Sequence, residues 1–229
     1  TSLVVTNDDA TQNVGGNPLV PVTTLGLAGT ISIISTAPPV TISGTLQLES
    51  IAPCSSQGIG QVTVSLSGSS SVPASPILNA NGSYNFSVPS GGNPTVTPSK
   101  NVNWNNLGQV NIADVVAVNQ HFLGITLLNS PYKRVAADAN ANGSIQIADV
   151  FAINQISITN APPIGLANTS WRFIDGTTPL VTPALPNQVP SFSSSISFLN
   201  ITSNQTANFI GVKTGDVNCS ANPANFGGD

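Results

Sequence analysis

Three stretches in the first hundred residues alternate apolar and polar side chains with a period of two: Ile42-Ser43-Gly44-Thr45-Leu46, Val62-Thr63-Val64-Ser65-Leu66 and Tyr84-Asn85-Phe86-Ser87-Val88. That period puts every second side chain on one face of a strand, and Asn81-Gly82 supplies a tight turn before the third. Together they predict a small β-sandwich over residues 41–100. Ahead of it, residues 1–40 read as an extended arm, in which the β-type stretches Ser2–Thr6, Val20–Thr24 and Thr30–Ser35 are separated by Asn, Asp, Gly and Pro punctuation. Such an arm is either the first strand of a local sheet or a strand that leaves its own body to complete a neighbour's sheet edge.

Between residues 101 and 160 the period changes. Asn111-Ile-Ala-Asp-Val-Val-Ala-Val-Asn-Gln120 and Gln146-Ile-Ala-Asp-Val-Phe-Ala-Ile-Asn-Gln155 are copies of one pattern, with Asp149 standing 35 residues after Asp114. Apolar residues at 112, 115, 116 and 118, and again at 147, 150, 151 and 153, predict one buried helical stripe in each copy. From Pro162 the pattern returns to β, with Pro punctuation over 179–190, then Ser191–Ser197 and Phe209–Lys213. Residues 161–229 are therefore expected to form a C-terminal β segment that packs back on the body. The fold class is mainly β, with a small α unit inserted at 101–160.

Composition bears more on function than on fold. Only 6% of the residues are charged, 9 acidic against 5 basic, so no basic field exists to hold nucleic acid or an anionic membrane. A single His (His121), a single Glu (Glu49), 2 Cys and no Met leave acid, base and thiol chemistry almost without side chains, which argues against an enzyme. No apolar run approaches the ~20 residues of a membrane span. A start at Thr1 reads as a mature exported chain or as a piece of a longer one.

A surface so poor in charge is kept wet by something else, either by glycans or by burial in an assembly. Sequons at Asn81, Asn85, Asn168, Asn200, Asn204 and Asn218 are the glycosylation candidates. In an exported chain Cys54 and Cys219 are expected to pair in one disulfide, with a bond between subunits as the alternative. Trp104, Trp171, Tyr84 and Tyr132 suit a buried core better than a sugar-stacking platform.

One constellation carries chemistry. Residues 138–149 form a twelve-residue run with oxygen-bearing side chains at positions 1, 3, 5, 9 and 12 (Asp138, Asn140, Asn142, Gln146, Asp149), Gly143 at position 6, and Ser144 at position 7 offering its backbone carbonyl. This is the grammar of an EF-hand loop, which wraps oxygen ligands around Ca²⁺, with glycine taking the sharp turn. Two carboxylates place such a site in the weak extracellular class, with Kd on the order of 10⁻⁴ M. The same segment without a metal is an Asn-Gly turn feeding a helix capped by Asp149. The earlier copy, 103–114, keeps Gly108, Asn111 and Asp114 but has only Asn103 and Asn105 in the first half. It is expected to need a further ligand, either Asn101 or a remote carboxylate, for which Asp216 in Gly215-Asp216-Val217-Asn218 is one candidate.

The paired loop-helix units resemble type I dockerin repeats. The strands at 41–100, with Asn81-Gly82-Ser83-Tyr84-Asn85-Phe86, resemble the carboxypeptidase-regulatory-like, immunoglobulin-like β-sandwich modules of secreted bacterial proteins. The resemblance covers about residues 42–218 and implies an immunoglobulin-like sandwich with an inserted dockerin-like unit, Ca²⁺ in the 138–149 loop, and a place on a bacterial cell surface or outside the cell. Loop positions 10 and 11, which help contact cohesin in dockerins, are Ile112-Ala113 and Ile147-Ala148 here, and apolar pairs predict that the unit is built into its own chain. The expected function is a structural protomer of an extracellular fibre, joined to copies of itself through residues 1–40. The alternative is an attachment or carbohydrate/protein-binding module of a larger secreted protein.

Overall fold

The computed structural model describes residues 38–51, 54–68, 75–77, 81–101, 104, 108–163, 169–221 and 223. The chain divides between Pro38 and Pro39, and the second unit carries every element of the described fold. The arm expected at residues 1–40 lies outside the described residues up to position 37. In chain order the elements are β1 (Val40–Leu48), β2 (Val62–Ser67), β3 (Ser75–Ile77), β4 (Ser83–Val88), β5 (Thr95–Ser99), α1 (Ile112–Phe122), α2 (Pro131–Ala137), α3 (Ile147–Thr159), β6 (Trp171–Asp175), β7 (Ile196–Ser197), β8 (Gln205–Thr206) and β9 (Phe209–Lys213).

The strands form two sheets, and the molecule is mainly β. One runs β4-β1-β9-β6, with β8 also on β1; the other runs β3-β2-β5-β7. Their facing residues close one core, in which Ile42, Leu46 and Phe209 of the first sheet meet Val62, Val64 and Val96 of the second. Each such side chain contributes about 1.5–3 kcal/mol on leaving water. Polar alternates such as Thr41, Thr63 and Asn85 remain exposed, as the period-two pattern requires.

Strand β9 runs parallel to β1 in the middle of the first sheet, with Leu46 opposite Phe209 and Leu48 opposite Gly211. Antiparallel β6 flanks it, Trp171 opposite Lys213. These two strands separate two cores. Trp171, Phe173 and Phe209 enter the sandwich core, whereas Ile174 and Val212 enter a second core with Val110, Val118, Val135, Ile145, Ile153 and Ile156 of the helical unit. Both faces are thus covered, so apolar residues point to either side of these strands, Phe173 to one core and Ile174 to the other, and no clean alternation survives. Gly44 is obligatory here, because a Cβ at that position would overlap the Ala207 carbonyl, to which the Tyr84 hydroxyl also donates.

Several expectations need correction. Ser191–Ser197 yields only the two-residue β7. Helix α2 was not anticipated, although Ser130 caps it by accepting from Tyr132 N (3.1 Å) and Lys133 N (3.4 Å), with Pro131 in the first turn. The predicted helical stripes are only half buried. Val118, Val150 and Ile153 are inside, but Ile112, Val116, Ile147 and Phe151 are 45–67% exposed, because the helices pack through the 114–118–121 and 149–153–156 faces. Ile112 and Ile147 are thus exposed. The single histidine, His121, is fully buried and accepts from Leu128 N at 3.0 Å. Trp104, Trp171 and Tyr84 lie in the cores, as expected.

Candidate metal centre

The 138–149 loop leaves α2 at Asp138 and enters α3, so a helix leads into it and a helix leads out. Both terminal carboxylates are buried, Asp138 to 2% and Asp149 to 0% exposure. The Asp138 oxygens accept from Asn142 N and Gly143 N, each at 3.0 Å. Asn140 Oδ1 accepts from Asn142 N (3.0 Å) and Asn142 Oδ1 from Ser144 N (2.9 Å). Asp149 closes the ring, accepting from Asn140 N through one oxygen (3.1 Å) and Gln146 N through the other (2.8 Å). Gln146 is the helix cap and Asp149 the third helical residue; this corrects the expectation that Asp149 itself would be the cap.

Gly143 takes φ +83°, and Ala141, the fourth residue, takes φ 60°. The outer wall is a strap, with Ile145 N donating to Asn187 O (2.7 Å) and Val189 N to Gly143 O (3.1 Å). Burial, and the neighbouring Asp138 carboxylate, raise the pKa of Asp149, while hydrogen bonds from Gln146 and Asn140 amides oppose that rise. The Arg172 guanidinium stands 3.6 Å from Asp138 Oδ2.

A second arrangement repeats this pattern from two separate pieces of chain. Asp216 accepts from Ser220 N (3.1 Å) and Ala221 N (2.8 Å), the amides four and five residues on, as Asp138 does. Asn218 Oδ1 accepts from Ser220 N at 2.9 Å, the counterpart of Asn140. Cys219, fourth in the run, takes φ 65°, matching Ala141.

The other half comes from the start of α1. Gly108 has φ +69°, Asn111 caps the helix, and Asp114 occupies the position of Asp149. Asp114 is 0% exposed; one of its oxygens accepts from Val217 N (2.9 Å) and Asn218 N (3.1 Å), and the other from Asn111 N (2.9 Å). Ser220 Oγ donates to Gln109 O at 2.7 Å, which joins positions 5 and 7 of the composite loop. Burial first, and the Asp114 carboxylate second, push the Asp216 pKa up to about 6. The nearby Lys213 ammonium is buried, which lowers its pKa to about 7, against the opposing pull of Asp216.

Asp216 is thus beside Asp114, and positions 1, 3 and 5 have counterparts at Asp216, Asn218 and Ser220, about a hundred residues from the helix they serve. Asn103 and Asn105 lie outside the described residues. From the sequence, Asp216 was named as a ligand, Asn218 only as a sequon, and Ser220 not at all; the signal was Asp216-x-Asn218-x-Ser220, which parallels Asp138-x-Asn140-x-Asn142.

Both cages offer only oxygen donors, and each gathers two buried carboxylates against one buried cation, Arg172 or Lys213. That donor set and residual negative charge fit a hard divalent cation. The described residues also contain one cluster of Glu49, Cys54 and Cys219, but its sulfurs are joined to each other, so no thiolate is present to ligate.

The Cys54–Cys219 disulfide lies within the chain, with Cα atoms 5.2 Å apart, and anchors the 216–221 loop to the segment after β1. Glu49 Oε1 lies 3.3 Å from Cys54 Sγ, and its other oxygen accepts from the Ser130 hydroxyl. Of the sequons, Asn81, Asn85, Asn200 and Asn204 are exposed, Asn218 is half-buried in the composite loop, and Asn168 lies outside the described residues.

Comparisons with protein-family models, curated proteins and solved structures return no match for this chain. Among the described residues, no helix is long and apolar enough to cross a membrane.

Proposed function

We propose that the chain is an extracellular structural building block: an immunoglobulin-like sandwich and a dockerin-like helical unit, clamped together by Ca²⁺ and a disulfide, that joins copies of itself by strand addition. The observation that carries this reading is the pair of oxygen cages. Asp138, Asn140, Asn142 and Asp149, with the Ser144 carbonyl, hold one ion. Asp216, Asn218, Ser220 and Asp114, with Asn111 beside them, hold the other. The bound ion offsets the repulsion within each carboxylate pair.

Three consequences follow for architecture. The second ion fastens the C-terminal segment to α1, the disulfide fastens the same segment to the segment after β1, and the separate parts of the chain act as one stiff body. A constant millimolar calcium level outside a cell keeps such weak sites filled, so the ions serve structure rather than signalling. Glycans on the exposed sequons would supply the hydration that the surface lacks in charge.

For assembly, the acceptor is the outer edge of β4, which among the described residues pairs only with β1 and is the longest such edge in either sheet. The donor is residues 1–37 of a neighbouring copy, whose β-type stretches match such an edge. Head-to-tail addition of this kind builds a filament. Deletion of residues 1–36 is expected to abolish filaments in electron microscopy and the large species in light scattering. Assemblies of unchanged size in that deletion would overturn strand addition without touching the calcium cages. An attachment module remains the second reading, favoured by the outward-facing Ile112 and Ile147.

A further inference from the structure

Arg172 is a buried cation on the sandwich that grips the first residue of the 138–149 loop. It stands on β6 between Trp171 and Phe173, which enter the sandwich core, so its own side chain projects with that of Ile174 toward the helical unit. The side chain is only 9% exposed. Its Nη1 donates to Val135 O (3.2 Å) and its Nη2 to Asp138 O (2.7 Å), in the last turn and at the cap of α2, where helical carbonyls run out of partners within the helix. The same Nη1 lies 3.6 Å from Asp138 Oδ2. Burial lowers the guanidinium's pKa, and the Asp138 and Asp149 carboxylates both oppose that fall, so one cation faces both charges of the cage.

The charge balance of the loop then depends on whether an ion is present. Two carboxylates and one guanidinium leave a single negative charge in the empty cage. A divalent ion turns the same group positive, whereas without the guanidinium the filled cage would be neutral. The shape of the donor ring does not rest on Arg172: Asp138 is held by the Asn142 and Gly143 amides, and Asp149 by the Asn140 and Gln146 amides. Charge, more than geometry, therefore decides what its loss does to an ion.

We propose that Arg172 is the resident counter-cation of the 138–149 cage, a positioning residue that stabilises the empty loop and weakens its hold on calcium. The proposal rests on the reading of that loop as a calcium site. It accounts for two buried carboxylates being tolerated before any ion arrives, so that the chain folds first and takes up calcium afterwards. The fork of the guanidinium, which spans two carbonyls and a carboxylate at once, is what a lysine at this position would lack.

The test compares Arg172→Gln and Arg172→Lys in full-length chains that also carry Asp114→Asn, which leaves the 138–149 cage as the site measured. Calcium titration calorimetry and urea unfolding in chelator are read together. In R172Q calcium is expected to bind about 10-fold more tightly, because a positive charge beside the ion is gone. The folded-to-unfolded ratio of R172Q in chelator is expected to fall at least ~10-fold, because buried carboxylates lose their partner. R172K keeps the charge and is expected to stay within about 3-fold of the parent affinity. A side chain that only pegs the fold together moves stability and affinity in the same direction, so unchanged or weaker calcium binding in R172Q overturns the proposal. If R172Q is unfolded in chelator, refolding by 10 mM Ca²⁺ in circular dichroism is the expected result, and its failure overturns the proposal. Absence of calcium binding in the parent and R172Q alike overturns the reading of the cage and this proposal with it, whereas equal binding in both overturns this proposal alone.

Discussion

Replacing Asp149 by Asn tests the proposed calcium cage separately from the fold that carries it. The side chain keeps its size, and one oxygen still accepts a backbone N–H, but the other position becomes a donor facing a donor, at Asn140 N or Gln146 N. A mispaired amide costs about 1–3 kcal/mol. Against that, the change removes one of two buried carboxylates that repel each other, Asp138 and Asp149. In chelator the two effects offset, and D149N is expected within about 1 kcal/mol of the natural chain.

Calcium changes the comparison. With Kd on the order of 10⁻⁴ M, 10 mM Ca²⁺ adds ~2.7 kcal/mol per occupied site, so two cages add roughly 5 kcal/mol. D149N retains the composite cage and gains only ~2.7 kcal/mol, while D114N combined with D149N gains under ~1 kcal/mol. Urea unfolding followed by circular dichroism, in chelator and in 10 mM Ca²⁺, reads all six values. Equal calcium gains in the natural chain and D149N would refute the argument, as would a large loss for D149N in chelator with no difference between the two media.

Other expectations are independent of the ion. Burial of Lys100, whose Nζ donates to Gly60 O at 2.8 Å, lowers its pKa to about 8. Between pH 8 and 10.5 the unfolded chain binds a proton that the folded chain does not, so stability rises over that window, by at most ~3 kcal/mol, and the cost of burying the charge is fully present below pH 8. Lys100→Met should remove its share of the rise in chemical denaturation, leaving the part that buried Lys213, lowered to about 7, contributes over the same window. Replacing both Cys54 and Cys219 with Ser, which opens a loop of sequence separation 165, should cost up to about 5 kcal/mol on the chain-entropy model, read as a lower urea midpoint. Gly143→Ala meets no atom within 4 Å but must hold φ +83°, so a loss of roughly 1–2 kcal/mol is expected in calorimetry.

The strands were legible wherever one face is buried and the other wet, as in β1, β2 and β4, because the period-two pattern survives in such strands. β6 and β9 stand between two cores, and α2 is a short helix whose seven residues are mostly buried, so neither β6 nor α2 carries a clean period. The 138–149 cage was readable because its donors are contiguous. The composite cage was only half readable. Its first three oxygen positions belong to the C-terminus and its last two to the start of α1, and spacing along a chain does not report a juxtaposition made by β9 running through the centre of a sheet. The helical stripes misled for a related reason: identical apolar positions served the core at 118 and 153 and the solvent face at 116 and 151, and periodicity alone does not separate an apolar face that is buried from one that faces solvent.

Equilibrium dialysis of the full chain against ⁴⁵Ca²⁺ addresses the central claim most directly. Two ions per chain, saturating below a few millimolar and falling to one in D149N and to none in the D114N and D149N combination, are the expected result. Retention of no calcium above the background of the doubly substituted chain at 5 mM would contradict it.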